Sequence, residues 1–152
     1  MLNDIIFYTL DKTIKQYRQF AQANIDRAGF DITIDQWLVL TVIGESPESG
    51  QAEIADRVFK DQASVARIIE LLVKKNLLHQ TASQTDRRRI VRKLTKEGKQ
   101  LLEAVAPIIS RNRSIALDGL AQADIDQLRH SLETIFANCR FAHKLASEHI
   151  SD

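Results

Sequence analysis

Asp86-Arg87-Arg88-Arg89-Ile90-Val91-Arg92-Lys93-Leu94-Thr95-Lys96-Glu97-Gly98 is the stretch whose reading decides the fold. Three consecutive arginines are costly to crowd together without a counter-charge, and Asp86 can hold one guanidinium in a bidentate pair while the others face outward. The β-branched pair Ile90-Val91 beside Arg92 and Lys93 reads as a strand over Arg89 to Leu94. Leu77 to Ala82 reads as its partner strand, around the loop Ser83-Gln84-Thr85-Asp86-Arg87-Arg88. Thr95 is placed to cap a new helix.

Two short helices precede this hairpin. Gln51 to Val58 follows Gly50 as N-cap, and Gln62 to about Lys75 follows Asp61. About three residues separate them, the length of a helix-turn-helix connection. In the second helix Val65, Ile69 and Leu72, joined by Ile68, form the stripe expected to be buried. Gln62, Ala63, Ser64, Ala66 and Arg67 lie toward its start or its outer side, a small and polar surface that suits a major-groove helix. Asn76 is a candidate left-handed stop. A hairpin directly after a helix-turn-helix is the wing of a winged helix.

Further out, Thr33-Ile34-Asp35-Gln36 has capping-box spacing, and the helix it opens, through about Ile43, is apolar almost all round, as a buried helix is. Ile5 to Ala28 carries an apolar stripe at Ile6, Leu10, Ile14, Tyr17, Ala21, Ile25 and Ala28, with Gly29 as a stop. From Lys96 the chain reads as helix to its end, with a break near Leu120-Ala121 and with Pro107 expected to kink it or force a local adjustment. The last helix places Ile125, Leu128, Leu132, Ile135, Cys139 and Ala142 near a heptad seam. Long apolar stripes outside a winged core need covering, and a second copy of the chain is the economical cover.

The charge distribution agrees with a polyanionic partner. Residues 1–55 balance to −4, residues 56–99 hold twelve Lys/Arg against five Asp/Glu for +7, and residues 100–152 balance to −2. A net charge of +1 thus conceals one basic centre. The 152 residues are 44% hydrophobic and 27% charged with one cysteine, which excludes disordered chains and an intrachain disulfide framework. No run approaches a membrane span, and Met1-Leu2-Asn3-Asp4 has no basic lead-in, so a cytoplasmic protein is expected. Gly-rich phosphate loops, nucleophile-elbow spacing and paired cleft carboxylates are all missing, so neither an enzyme nor a cofactor is expected.

On these residues the chain resembles the MarR family of bacterial and archaeal transcriptional regulators. Asp35-Gln36-Trp37-Leu38-Val39-Leu40 looks like that family's second helix, and Gln51 to Val58 like its third. Ser64-Val65-Ala66-Arg67 with Leu72 and Lys74-Lys75-Asn76-Leu77-Leu78 is similar to the recognition helix and its exit. Asp86-Arg87-Arg88 and Leu94 to Gly98 resemble the wing signature and the next helix, and Leu120 to Leu132 the final connection and helix. Departures are Phe59 and Asn76 where Gly is usual, Ala66 for a common Thr, and Gln80 for a common Arg.

The resemblance implies a mainly α, homodimeric winged helix-turn-helix protein of about six helices and a two-stranded wing. Residues 33–99 would form the DNA-binding domain, with 1–30 and 100–152 supplying dimerisation helices. It implies a repressor reading a pseudo-palindromic operator in double-stranded DNA. Gln62, Ala63, Ser64, Ala66 and Arg67 would meet the major groove. Arg88, oriented by Asp86, would enter the minor groove. From the residues themselves, Arg87 and Arg89 belong to the same basic tip, and Arg92 with Lys93 would lie along phosphates. A small aromatic effector is implied too, with Tyr17 and Trp37 as candidate lining residues. Cys139 is expected to be a buried structural thiol. Cys139 and His143, with His149 nearby, do not make a metal site without a third fixed ligand. The alternative reading is a winged-helix interaction module whose basic face meets an acidic protein.

Overall fold

A computed structural model describes residues 1–150. A short 3-10 turn, Leu2–Asp4, leads into α1 (Ile6–Arg27), α2 (Ile34–Glu45), α3 (Gln51–Val58) and α4 (Gln62–Lys74). The hairpin β1 (Leu78–Ala82) and β2 (Ile90–Leu94) follows, then α5 (Lys96–Ala116) and α6 (Gln122–His149). The strands pair antiparallel, with Leu78 opposite Leu94, Gln80 opposite Arg92 and Ala82 opposite Ile90. The expected mainly α architecture with a two-stranded wing is what forms, each strand starting one residue later than its pattern suggested. The leading 3-10 turn had no sequence signal.

The helix ends follow from their capping residues. Thr33 and Gln36 complete a reciprocal capping box: the Gln36 N–H donates to Thr33 Oγ1 at 3.1 Å and the Thr33 N–H to Gln36 Oε1 at 3.2 Å. Gly29 closes α1 at φ 85°, and Asn76 closes α4 at φ 57°, the left-handed conformation an L residue other than Asn or Asp rarely accepts.

The core is built around α2. Val39, Leu40 and Ile43 are buried and pack with Ile25 of α1, Ile54 of α3, Val65, Ile69 and Leu72 of α4, Leu78 of β1 and Val105 of α5. The stripe expected on α4 is therefore the buried one, with Ile68 half-buried at its edge. Asn112 of α5, also buried, accepts a 2.8 Å hydrogen bond from Asn24 and donates to the Ala21 carbonyl, joining α5 to α1.

The wing is locked to α5 by a close approach. Thr95 Oγ1 donates to the Asn76 carbonyl at 2.7 Å and accepts from the Gly98 N–H at 2.9 Å, while the Thr95 N–H bonds the Leu77 carbonyl. A Cβ on Gly98 would stand 2.2 Å from that Leu77 oxygen. α5 continues through Pro107 without a break in its helical span. Pro107 and Glu103, whose carbonyl loses its donor, are both exposed, so that carbonyl is not sealed from solvent.

The chain falls into two compact units, Met1–Arg113 and the remainder from Ser114. In the second, none of the described α6 residues is buried. Leu128 and Leu132 of the expected seam are exposed, Ile125 and Ile135 half-buried. Cys139 is exposed too, which corrects the expectation of a buried thiol.

Gly98→Ala is expected to destabilise the fold by about 1–3 kcal/mol through overpacking, against a helix-propensity gain of about 1 kcal/mol. Urea unfolding followed by circular dichroism reads the difference, and an unchanged or raised midpoint would contradict the close approach.

Candidate nucleic-acid interface

The connection between α3 and α4 is a left-handed turn at Phe59, φ 54°, a strained position for a bulky residue. The Lys60 N–H reaches back to the Ala55 carbonyl at 2.9 Å. Asp61 then caps α4, accepting the Ser64 N–H at 2.8 Å and the Ser64 hydroxyl at 2.7 Å. These two bonds, the backbone one first, hold the Asp61 carboxyl below its usual pKa. Gln51 Nε2 donates to the Gln62 carbonyl, joining the starts of the two helices.

This arrangement leaves Gln62, Ala63 and Arg67 exposed, with Ser64 and Ala66 half-buried beside them. The Ser64 hydroxyl proton is spent on Asp61, so toward a base edge Ser64 can only accept.

Asp35 ties three elements together at the start of α2. Its carboxylate pairs with Arg18 of α1 and, at 3.1 Å, with Lys60 of the turn before α4. Desolvation opposes the charged form, yet hydrogen bonding and Coulombic attraction from Arg18 and Lys60 outweigh it, and the pKa falls below 3.8. The turn that aims α4 is thus anchored to the core by charge as well as by packing.

The wing tip is ordered by its own side chains. Ser83 Oγ accepts the N–H groups of Thr85 and Asp86 at 3.3 Å, and the Ser83 N–H bonds the Arg89 carbonyl at 2.9 Å. Asp86 Oδ1 accepts the Arg88 backbone N–H at 3.0 Å. That corrects the expected carboxylate–guanidinium pair: Asp86 shapes the loop through its backbone, and none of the ion pairs among the described residues includes it. Arg87, Arg88 and Arg89 are consequently exposed and unpaired among the described residues.

Arg92 departs from expectation as well. It is 6% exposed, not spread along the surface, because it shares the inward face of β2 with Leu94; Lys93, on the other face, is exposed. Strand alternation was the signal that could have shown this.

Tyr17 and Trp37 are both half-buried, and Trp37 packs against the hydrophobic core. A groove of about 440 Å³ lies between α1 and the start of α2, but Arg18, Gln22 and Thr33 to Asp35 are among its lining and neither aromatic residue is. No group of three or more His, Cys, Asp or Glu that could hold a metal occurs among the described residues.

Asp35→Asn is expected to cost about 1 kcal/mol at neutral pH, the pairs being partly exposed. The depressed pKa stabilises the fold above the unfolded value and stops doing so as pH falls through the folded value. Wild type should therefore lose its advantage over the variant below about pH 4. Parallel urea titrations at pH 7 and pH 3 measure this, and a difference that persists undiminished at pH 3 would contradict it.

Comparison with known proteins matches this geometry. The family model described as the MarR family covers residues 30–89. The HTH-type transcriptional repressor IacR of Pseudomonas putida is 24% identical over 135 residues, 89% of this chain and 80% of that protein. The structure of Bordetella bronchiseptica BpsR, described with regulation of its DNA binding by 6-hydroxynicotinic acid, superimposes with a TM-score of 0.81 at 21% identity, covering 89% of this chain and 95% of that one. Staphylococcus aureus MepR, solved with DNA, gives 0.80 at 20% identity over 91% of this chain and 99% of that one. The MarR family model thus takes in α2, α3, α4, β1 and the wing tip through Arg89, and the fold is shared with these solved structures along most of the chain.

Proposed function

We propose that this protein is a homodimeric, sequence-specific regulator of transcription that binds double-stranded DNA and acts as a repressor. The observation that carries the reading is the wing tip: three adjacent guanidiniums held outward on an ordered loop with no counter-charge among the described residues. Such a cluster finds its partner in the phosphates and in the focused negative potential of a minor groove. Gln62, Ala63, Ser64, Ala66 and Arg67 present the surface of α4 to the major groove, Ser64 as an acceptor. Arg88, flanked by Arg87 and Arg89, enters the adjacent minor groove. The MarR relatives named as a repressor and solved with DNA support the same reading.

Pairing of two copies rests on uncovered apolar surface. Ile6, Phe7 and Ile14 of α1 are exposed, and so, separately, are Leu128, Leu132, Phe136 and Leu145 of α6. In this reading residues 33–99 contact DNA while 1–30 and 100–152 join the copies, which sets two recognition helices about 34 Å apart on a pseudo-palindromic site. No described helix is long and apolar enough to cross a membrane, and a DNA-binding regulator works in the cytoplasm. Release by a small aromatic effector is supported by the 6-hydroxynicotinic acid named for BpsR. In that role Tyr17 and Trp37 would serve from half-buried positions.

Arg88→Ala is expected to weaken duplex binding by about 1–3 kcal/mol and to reduce any preference for A·T flanks. Fluorescence anisotropy across a salt series reads both quantities. Retained affinity and flank preference would contradict the wing assignment, and indifference of the wild type to duplexes at low salt would favour an acidic protein as partner.

A further inference from the structure

Arg92 is the charged residue found in the buried class among the described residues. Its guanidinium offers five N–H donors, yet Nε is shielded from solvent with no hydrogen-bond partner, and none of the ion pairs includes it. Burial pushes its pKa down. Of its nitrogens, Nε is the one sealed from solvent without a partner, and a hydrophobic residue on the inward face of β2 would pack there without stranding a donor.

What surrounds Arg92 suits an anion. It lines a groove of about 250 Å³ with Gly50 and Gln51 at the N-terminus of α3, with Arg88, Arg89 and Ile90 of the wing, and with Glu48. α3 has no side-chain cap, so the first N–H groups of the helix lack intrahelical partners and carry the positive end of its dipole. Ser49, beside Gly50, is buried with a partnerless hydroxyl of its own. Glu48 is the acid on this lining, and it forms no ion pair with Arg92.

We propose that this groove is an oxyanion seat, in which the Arg92 guanidinium and the first N–H groups of α3 hold a phosphate group between them. A guanidinium supplies paired donors to phosphate oxygens, and a helix N-terminus supplies fixed dipoles to the same group. A backbone phosphate of bound duplex and a free phosphate or phosphorylated small molecule share this chemistry. Occupancy by duplex rests on the DNA-binding reading above, whereas the seat itself does not.

The test uses DNA-free protein and inorganic phosphate titrated at constant ionic strength. Wild type should show a saturable rise in melting temperature, since a ligand that binds only the folded state stabilises it. Arg92→Met should melt at or above wild type without phosphate and show no saturable rise. The Arg92 Nε–H resonance of the wild type should shift with the same midpoint, a readout independent of how the variant folds. A wild type whose melting and resonance ignore phosphate, or an Arg92→Met protein that responds equally, would overturn the seat.

A second arm separates the two sources. If duplex fills the seat, Arg92→Met lowers the slope of log affinity against log salt by about one, and phosphate competes with duplex for the wild type. An unchanged slope with the phosphate response intact assigns the seat to a free anion. A wild type that binds phosphate but no duplex would sink the DNA reading and leave the seat standing.

Discussion

Everything presented at the surface of this chain depends on one helix having no polar side. α2 is enclosed by α1, α3, α4 and β2, and Val39, Leu40 and Ile43 sit at its buried centre. A helix apolar around its circumference cannot rest on a single neighbour, so it gathers several and fixes their mutual positions. The α4 outer face and the wing are therefore aimed by packing remote from both. Two polar devices refine the aim. Asp35 joins Arg18 and Lys60 across three elements, and the bare Cα of Gly98 lets α5 close on the Leu77 carbonyl.

Much of this was legible locally. The Thr33–Gln36 box, the Asp61 cap and the stops at Gly29 and Asn76 are short-range chemistry, and each forms where its residues stand. The alternating steps of Val65, Ile69 and Leu72 identify the buried side of α4 correctly. What was not legible is long-range or depends on context. Asn24 and Asn112 lie far apart in the chain and carry no period that pairs them. Ser64 looks free until Asp61 takes its proton. Arg92 is the instructive case, because strand alternation with Leu94 placed it inward while its charge was read as exposure. Cys139 failed for the opposite reason: its apolar helix face was read as burial, yet the thiol is exposed.

The division of labour between the two exposed surfaces follows from their chemistry. α4 carries short, mixed side chains from Gln62 to Arg67, suited to discriminating donors, acceptors and methyl groups at base edges. The wing concentrates charge on a narrow loop, suited to affinity and to groove width. Neither surface alone spans a two-part site. In the proposed reading, the exposed apolar residues of α1 and of α6, separately, would let a second copy double the reader.

The most direct test of the account is a hydroxyl-radical footprint of the intact protein on the duplex upstream of its own gene. The account predicts two symmetry-related protected patches, their centres about 34 Å apart along the helix axis, each flanked by protection across a minor groove. A single unsymmetrical patch, or uniform cleavage at protein concentrations that retard the duplex, would contradict a twofold reader built from α4 and the wing.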